Sequence, residues 1–421
     1  MNKINFVLAT LLFRALLEYG YITQIFPLFE YAGFNILIDN YQYYTGWIIC
    51  IIGSLIIPYK LTNASSFFVM LTWLLLGIPI LMLYSLDASR SFLPVLLFLT
   101  SIAIIYISTS ISLIRMRSFR PILGGTNILT ILSIIMVSQL VLWFFISGAS
   151  FNLSLASVYD FRFSNAELTD SGLFAYTNNW TIKIMSLFLF AIALKKKQYF
   201  GLLVLAIMQI YFYGITNHKS VLFIPFLILG CWFIFQKRNS FTAIPLACSA
   251  VIFLSLLASE VFEFTMLTSL FIRRVFLVPA DLVFTYVEFF SNNDLVFWSN
   301  SILSPFSPYP YSESIARTIG DFAGTGANAN AGFIATGYAH LGFAGVIIYS
   351  LIISIILKFI NFSSKDIEPW IMTALVILPF RTLIVASDLL TTLLTHGLLL
   401  TCLVLYLYSK NSAKQISKPI E

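Results

Sequence analysis

The stretch from 184 to 220, IMSLFLFAIALKKKQYFGLLVLAIMQIYFYGITNHKS, decides the fold. Two apolar runs flank the lysines Lys195, Lys196 and Lys197, and the second run closes on Asn217-His218-Lys219-Ser220. Apolar runs of about 18 residues or more are read as membrane spans. The same motif, apolar run then short cationic stretch, recurs along the whole chain. Lys3, Lys60, Arg115/Arg117/Arg120, Lys195–Lys197, Lys237/Arg238, Lys358/Lys365 and Lys410/Lys414/Lys418 fall at every second gap between runs. That is the positive-inside pattern of a polytopic membrane protein.

The pattern predicts an all-α membrane protein of about twelve helices, at 4–26, 42–59, 65–85, 92–113, 126–148, 180–194, 198–216, 219–236, 241–258, 341–360, 369–387 and 389–409. Residues 1–421 form one integral membrane domain in this reading, with both termini in the cytoplasm. The outer gaps are 27–41, 86–91, 149–179, 216–219, 259–340 and 387–389. Two of them, 149–179 and 259–340, are large loops, and the second is long enough to need structure of its own. In it, 264–290 reads as an amphipathic helical stretch, 303–311 is too rich in proline for regular helix, and 331–340 reads as helix again.

Composition agrees. Apolar residues make up 59% and charged residues 10% of the chain, and the mean hydropathy is +0.91. The net charge of +6 lies mostly in cytoplasmic gaps, where it sets orientation and does not point to nucleic acid. Cys50, Cys231, Cys248 and Cys402 all fall inside apolar runs, as small packing residues do. The first run lacks a small-residue cleavage site and reads as a retained helix. Gly324-Thr325-Gly326 has no strand before it, so no dinucleotide or ATP site is expected, and no His/Cys/Asp cluster has metal-ligand spacing. No cofactor is expected.

Function is sought among cations in the wrong gaps. Arg162 follows Tyr159 and Asp160; Arg273 and Arg274 precede Pro279 and Asp281; Arg317 lies between Glu313 and Asp321; Lys219 closes a short outer turn. Guanidinium forks bind phosphate bidentately, so several together would make a diphosphate site. Each could instead pair with a local carboxylate at headgroup level, and Lys219 could be a snorkelling anchor. His340, where the long loop re-enters the membrane, could be a general base or a hydrogen-bonded interfacial residue. Asp321 is the other candidate base, though its spacing from Arg317 also suits an ion pair. His396 reads as a packing residue. Trp180, Trp298, Tyr309 and Tyr311 could stack on sugars or form an interfacial belt. Arg14 and Glu18, four apart in the first helix, can neutralise each other, and Arg381 is followed by Asp388 two turns on.

Four segments carry a family likeness. They are Val158-Tyr159-Asp160-Phe161-Arg162, Asn217-His218-Lys219-Ser220, Arg273-Arg274 with Pro279, and Ala327-Asn328-Ala329-Asn330-Ala331-Gly332 with Gly342-Phe343-Ala344-Gly345. With the twelve-helix plan and two large outer loops, the chain resembles the O-antigen polymerases, the Wzy-type oligosaccharide repeat-unit polymerases of the bacterial inner membrane. The family's Arg-x10-Gly pattern is not reproduced: Gly172 follows Arg162 one residue short, and neither Arg274 nor Arg317 has a glycine at that spacing. The resemblance implies a metal-independent, lipid-linked glycosyltransferase of GT-C-like fold in lipopolysaccharide biosynthesis. Its substrates would be undecaprenyl-diphosphate-linked glycans, with membrane lipids and a chain-length regulator as partners. His340, Arg162 and Asp321 would be catalytic; Tyr159, Lys219, Arg273, Arg274, Arg317, Asn328 and Asn330 would bind diphosphate or sugar. An O-antigen ligase shares the leaving group and differs in its acceptor; a flippase or secondary transporter would have short loops on both faces.

Overall fold

The computed structural model describes residues 2–111, 124–154, 165, 168 and 172–409, apart from the side chains of Lys219 and Ser220. Among these residues the chain is helical, with two isolated bridges and no strand. Nine helices among the described residues are long and apolar enough to cross a membrane: Lys3–Ala32, Ala64–Leu86, Leu93–Ser110, Gly125–Ile146, Phe174–Lys195, Tyr199–Thr216, Ala243–Phe262, Phe333–Ser363 and Leu389–Tyr408. The other three expected spans are helices too, but shorter: Asn40–Ile56, Ile224–Phe235 and Pro369–Val385. Pro225 explains one shortening. It sits in the first turn of its helix, where a missing N–H costs least, and it separates that helix from the single turn Lys219–Leu222.

The chain folds as two compact units. The first comprises Met1–Leu113, Ser240–Leu357 and Arg381–Leu389. Its centre is the Ala64–Leu86 helix, which is buried almost throughout, as expected of a helix that is apolar all round. Asn63 and Ser66 close a capping box at its start. A π-turn at Trp73–Gly77 bulges the indole of Trp73 toward Gly53, where a Cβ would lie 2.0 Å from the ring. Small residues at such contacts let helices approach closely. Beside it, Arg14 is fully buried in the Lys3–Gly20 helix. It lies 3.9 Å from Glu18, donates to Gly46 O at 2.6 Å and Ser85 Oγ at 2.8 Å, and stacks on Trp47. Tyr43 Oη donates to Glu18. A buried charge is tolerated when it is paired and hydrogen-bonded, and this network joins three helices.

Contacts within the first unit sort its loops into two sets. Lys3 donates to Ile57 O, Phe241 N to Tyr59 O, and Lys60 bridges Ser240; these gaps carry the lysines that the charge rule places inside. Leu37 pairs with Asp87, Arg90 with Asp281 and Ser259 with Gln24; these belong to the opposite set.

The second unit comprises Ile114–Asn239, Lys358–Phe380 and Leu390–Glu421. It repeats the sorting. Lys195 meets Glu368 at 2.6 Å and Tyr408 Oη at 3.0 Å. At the other end Asn165 donates to Ser150 O and Ile215 O, and Asn152 donates to Asn217 Oδ1 at 3.1 Å. The last span differs from expectation. It breaks between Leu389–Leu394 and Leu398–Tyr408 at Gly397, whose φ of +77° is open mainly to glycine.

Candidate functional site

The long segment between the Ala243–Phe262 helix and the re-entry point is structured, as its length requires. It forms a helical run with a π-segment at Ser269–Leu277, a helix at Val278–Asn292 and a short helix at Ile315–Phe322. Turns and bends occupy 303–311, with no helix. The re-entry is not one helix. Residues 333–340 are helical, Leu341 and Gly342 leave helical geometry (Gly342 φ 56°, ψ −141°), and a second helix continues to Ser363. That φ/ψ combination is practically confined to glycine. The two pieces fold against each other so closely that a Cβ on Gly345 would lie 1.9 Å from Gly337 O.

The kink presents His340 at the end of the short piece. The imidazole is 2% exposed and lies flat on Trp298, with centroids 5.0 Å apart at 17°. Its Nδ1 accepts from the Trp298 backbone N–H at 3.2 Å. That contact fixes the tautomer: the remaining ring proton sits on Nε2, which lies 3.5 Å from Asp388 Oδ1. The same oxygen accepts from Tyr349 Oη at 2.8 Å, and Tyr349 in turn accepts from Trp298 Nε1 at 2.8 Å. Four side chains from three stretches of the first unit thus form one connected group. The Asp388 side chain is 20% exposed. His340, with both nitrogens engaged, lies behind it, and Asp388 is the carboxylate nearer to solvent.

The other expected site residues distribute as follows. Arg162 and Tyr159 lie outside the described residues, and for Lys219 only the backbone is described. Arg317 pairs with Asp321 at 3.2 Å and donates to Gly326 O; both side chains are close to half exposed. Exposed pairs of this kind contribute about 0–1 kcal/mol, so this one ties the loop at 323–327 to its helix without much stability. Gly320 permits the fold-back, since a Cβ there would lie 1.7 Å from Ala327 O. Asn328 and Asn330 are exposed on the same loop, which Tyr286 anchors by donating to Ala329 O. Arg273 lies over Phe29 at 4.0 Å, and its Nε is buried with no hydrogen-bond partner among the described residues. Burial and the neighbouring Arg274 hold its pKa below the usual arginine value. Arg274 itself is exposed. Tyr309 donates to Glu313 O and Tyr311 to Asp294 O, while Trp180, in the second unit, donates to Leu394 O.

Sequence reasoning missed two features. In the sequence Asp388 stands out only as lying two turns past Arg381, but the helix ends at Val385, and Asp388 lies by His340 and Tyr349. Among the described residues Arg381 makes no ion pair. Arg90 drew no attention in its short gap. It makes the most connected ion pair of the first unit's loops: Asp281 at 2.8 Å, Asp87 at 3.2 Å, Gly33 O at 3.2 Å, and the Phe284 ring at 4.8 Å. A cation among outer carboxylates was a signal the charge pattern did contain. No group of three His, Cys, Asp or Glu residues among the described ones could hold a metal ion.

Compared with known proteins, the chain matches no family model, no curated protein and no solved structure.

Proposed function

We propose that the protein polymerises undecaprenyl-diphosphate-linked oligosaccharide repeat units on the periplasmic face of a bacterial inner membrane. In this reading all twelve apolar helices span, both termini are cytoplasmic, and the fold is GT-C-like. The observation that carries it is the connected group His340–Asp388–Tyr349–Trp298. It sets a carboxylate, oriented from two sides, where the segment read as the large outer loop rejoins the helices.

The step is a glycosyl transfer. A hydroxyl oxygen of the acceptor sugar bonds to the anomeric carbon of the donor glycan, and the bond from that carbon to the diphosphate breaks. Undecaprenyl diphosphate leaves with the electron pair, and the hydroxyl proton goes to Asp388. Tyr349 orients that carboxylate by a hydrogen bond and His340 by a polar contact at 3.5 Å, so His340 is here a positioning residue. Charge builds on the leaving diphosphate, where preorganised cations act most strongly. Arg273 and Arg274, in the same unit as Asp388, are the proposed cations; Arg162 and Lys219 are called on by the charge pattern alone. Support is best for Arg273, whose buried Nε retains an unused donor; Arg317 is already engaged with Asp321 and Gly326.

Proteoliposomes holding the purified protein and radiolabelled undecaprenyl-diphosphate repeat units test the reading. A ladder of lengthening glycan on the lipid carrier is expected. Transfer only to added lipid A core would make the protein a ligase, and movement across the bilayer without bond formation would make it a transporter; either result overturns the proposal.

A further inference from the structure

The first unit encloses a cavity of about 710 Å3. Its walls come from the residues around Asn35, from 87–94, from the Val278–Asn292 helix and from Phe322. All of these residues but Leu93 and Pro94, which open the next helix, lie in gaps that the charge pattern places outside. The size lies within the roughly 300–1,000 Å3 of small-molecule sites. The lining is unlike a lipid-tail groove, because side-chain hydroxyls, amides and carboxylates alternate with the rings of Phe284 and Phe322.

Charge decides what can enter. Three carboxylates, Asp87, Asp281 and Glu288, face one guanidinium, Arg90. That guanidinium is held by Asp87, Asp281 and Gly33 O and lies against Phe284. An anion entering the cavity meets repulsion from the carboxylates and an arginine already engaged. A polyhydroxylated ring meets donors and acceptors at Asn35, Ser91 and Asn292, which are exposed, and an apolar face at Phe322, which is 47% exposed. An amine would find Glu288 at the exposed rim. The cavity wall is also tied to the proposed catalytic group: Ser291 Oγ lies 3.0 Å from Tyr338 Oη, two residues before His340.

We infer that this cavity is a carbohydrate subsite that takes a neutral or amine-bearing pyranose and excludes acidic sugars and the diphosphate. Its role as the place where the acceptor glycan lies during transfer rests on the polymerase reading; its selectivity does not.

Saturation-transfer NMR on the purified full-length protein in micelles, with methyl glucoside, glucosamine and glucuronate as probes, tests the selectivity. Glucoside and glucosamine should both receive transfer and compete with each other. Glucuronate should bind at least roughly threefold more weakly than the glucoside. Glu288→Gln, at an exposed position, should keep glucoside binding and cut glucosamine affinity by roughly 3- to 10-fold, the loss of one partly solvated charge-assisted hydrogen bond. Thr285→Trp, which fills the cavity, should abolish binding of both in protein that melts like the wild type. Glucuronate binding equal to the glucoside, glucosamine affinity unmoved by Glu288→Gln, or full binding by folded Thr285→Trp would each overturn the subsite. If the selectivities hold and no polymer forms in proteoliposomes, the polymerase reading falls and the subsite stands; if polymer forms while glucuronate binds equally, the subsite alone falls.

Discussion

Replacing Arg90 by leucine should destabilise the first unit more than the loss of any other ion pair in its outer loops. The guanidinium is 8% exposed and faces Asp87 and Asp281, which are 4% and 19% exposed. Asp87 would keep Ser89 as donor, at 3.1 Å from N and 2.6 Å from Oγ. Asp281 would lose its ion-pair partner and stand as an uncompensated carboxylate. Breaking a buried pair from one side costs about 3–5 kcal/mol, on the order of 10 °C in melting temperature for a unit of this size. Removing both partners, in Arg90→Leu/Asp281→Leu, should recover most of it, since the remaining penalty is only lost packing and lost contacts to Gly33 and Phe284. The loss should also depend on pH. Burial already holds the Asp281 carboxyl above the usual carboxylate range, although Arg90 opposes this. Without Arg90 it rises further, so the folded state binds the proton more tightly than the unfolded one and stability falls as pH rises. The single variant should therefore lose least at pH 5 and most at pH 8. Thermal unfolding of purified protein in detergent at the two pH values measures this. A single variant melting within about 2 °C of wild type at pH 8, or a double variant less stable than the single one, would refute the reasoning.

Asp388→Asn should reduce polymerisation by about 10²- to 10⁴-fold, and Tyr349→Phe by roughly tenfold. With Asp388 as the base, the acid limb of the pH–rate profile should survive in His340→Gln; its disappearance would return the proton to the imidazole. Arg162→Ala should lower the rate about 30- to 1000-fold, with poor rescue by Arg162→Lys because the fork is lost; a normal glycan ladder at normal protein level would show that Arg162 has no part in the reaction. Gly332→Ala should abolish folded yield, because its Cβ would lie 1.9 Å from Ile384 O. Gly230→Ala, with nothing within 4 Å, should give wild-type yield, both variants being measured by size-exclusion chromatography in detergent. An impermeant thiol reagent should label Ser301→Cys and not Gln198→Cys in intact cells.

Hydropathy made the helices legible because lipid and protein core impose the same demand on a span, an apolar surface with internally satisfied backbone. Local spacing made Arg14–Glu18 and Arg317–Asp321 legible, since each pair lies one helical turn apart. The same rule misled at Asp388. Two turns from Arg381 counts as a shared face only while the helix continues, and this one stops at Val385. The remaining partners are set by tertiary packing across long separations. His340 takes its tautomer from a backbone N–H 42 positions earlier, and Arg90 finds Asp281 on a helix that a charge count could only describe as amphipathic. Lys195 stood out in the charge pattern, whereas its partner Glu368 did not.

The fold-back at Leu341–Gly342 bears on how such a chain can change over generations. Gly342 adopts a conformation practically confined to glycine, Gly345 touches the Gly337 carbonyl, and Gly332 abuts Ile384. None of the three carries a reactive group, yet each should tolerate no substitution. In a saturation library selected only for a folded, membrane-inserted product, these columns should empty completely. Residues lining the proposed sugar subsite, by contrast, are free to drift once their carboxylates are compensated. A lineage could then exchange one surface sugar for another by altering the cavity around Glu288 and Asn292, while the hairpin that positions His340 stays as inherited.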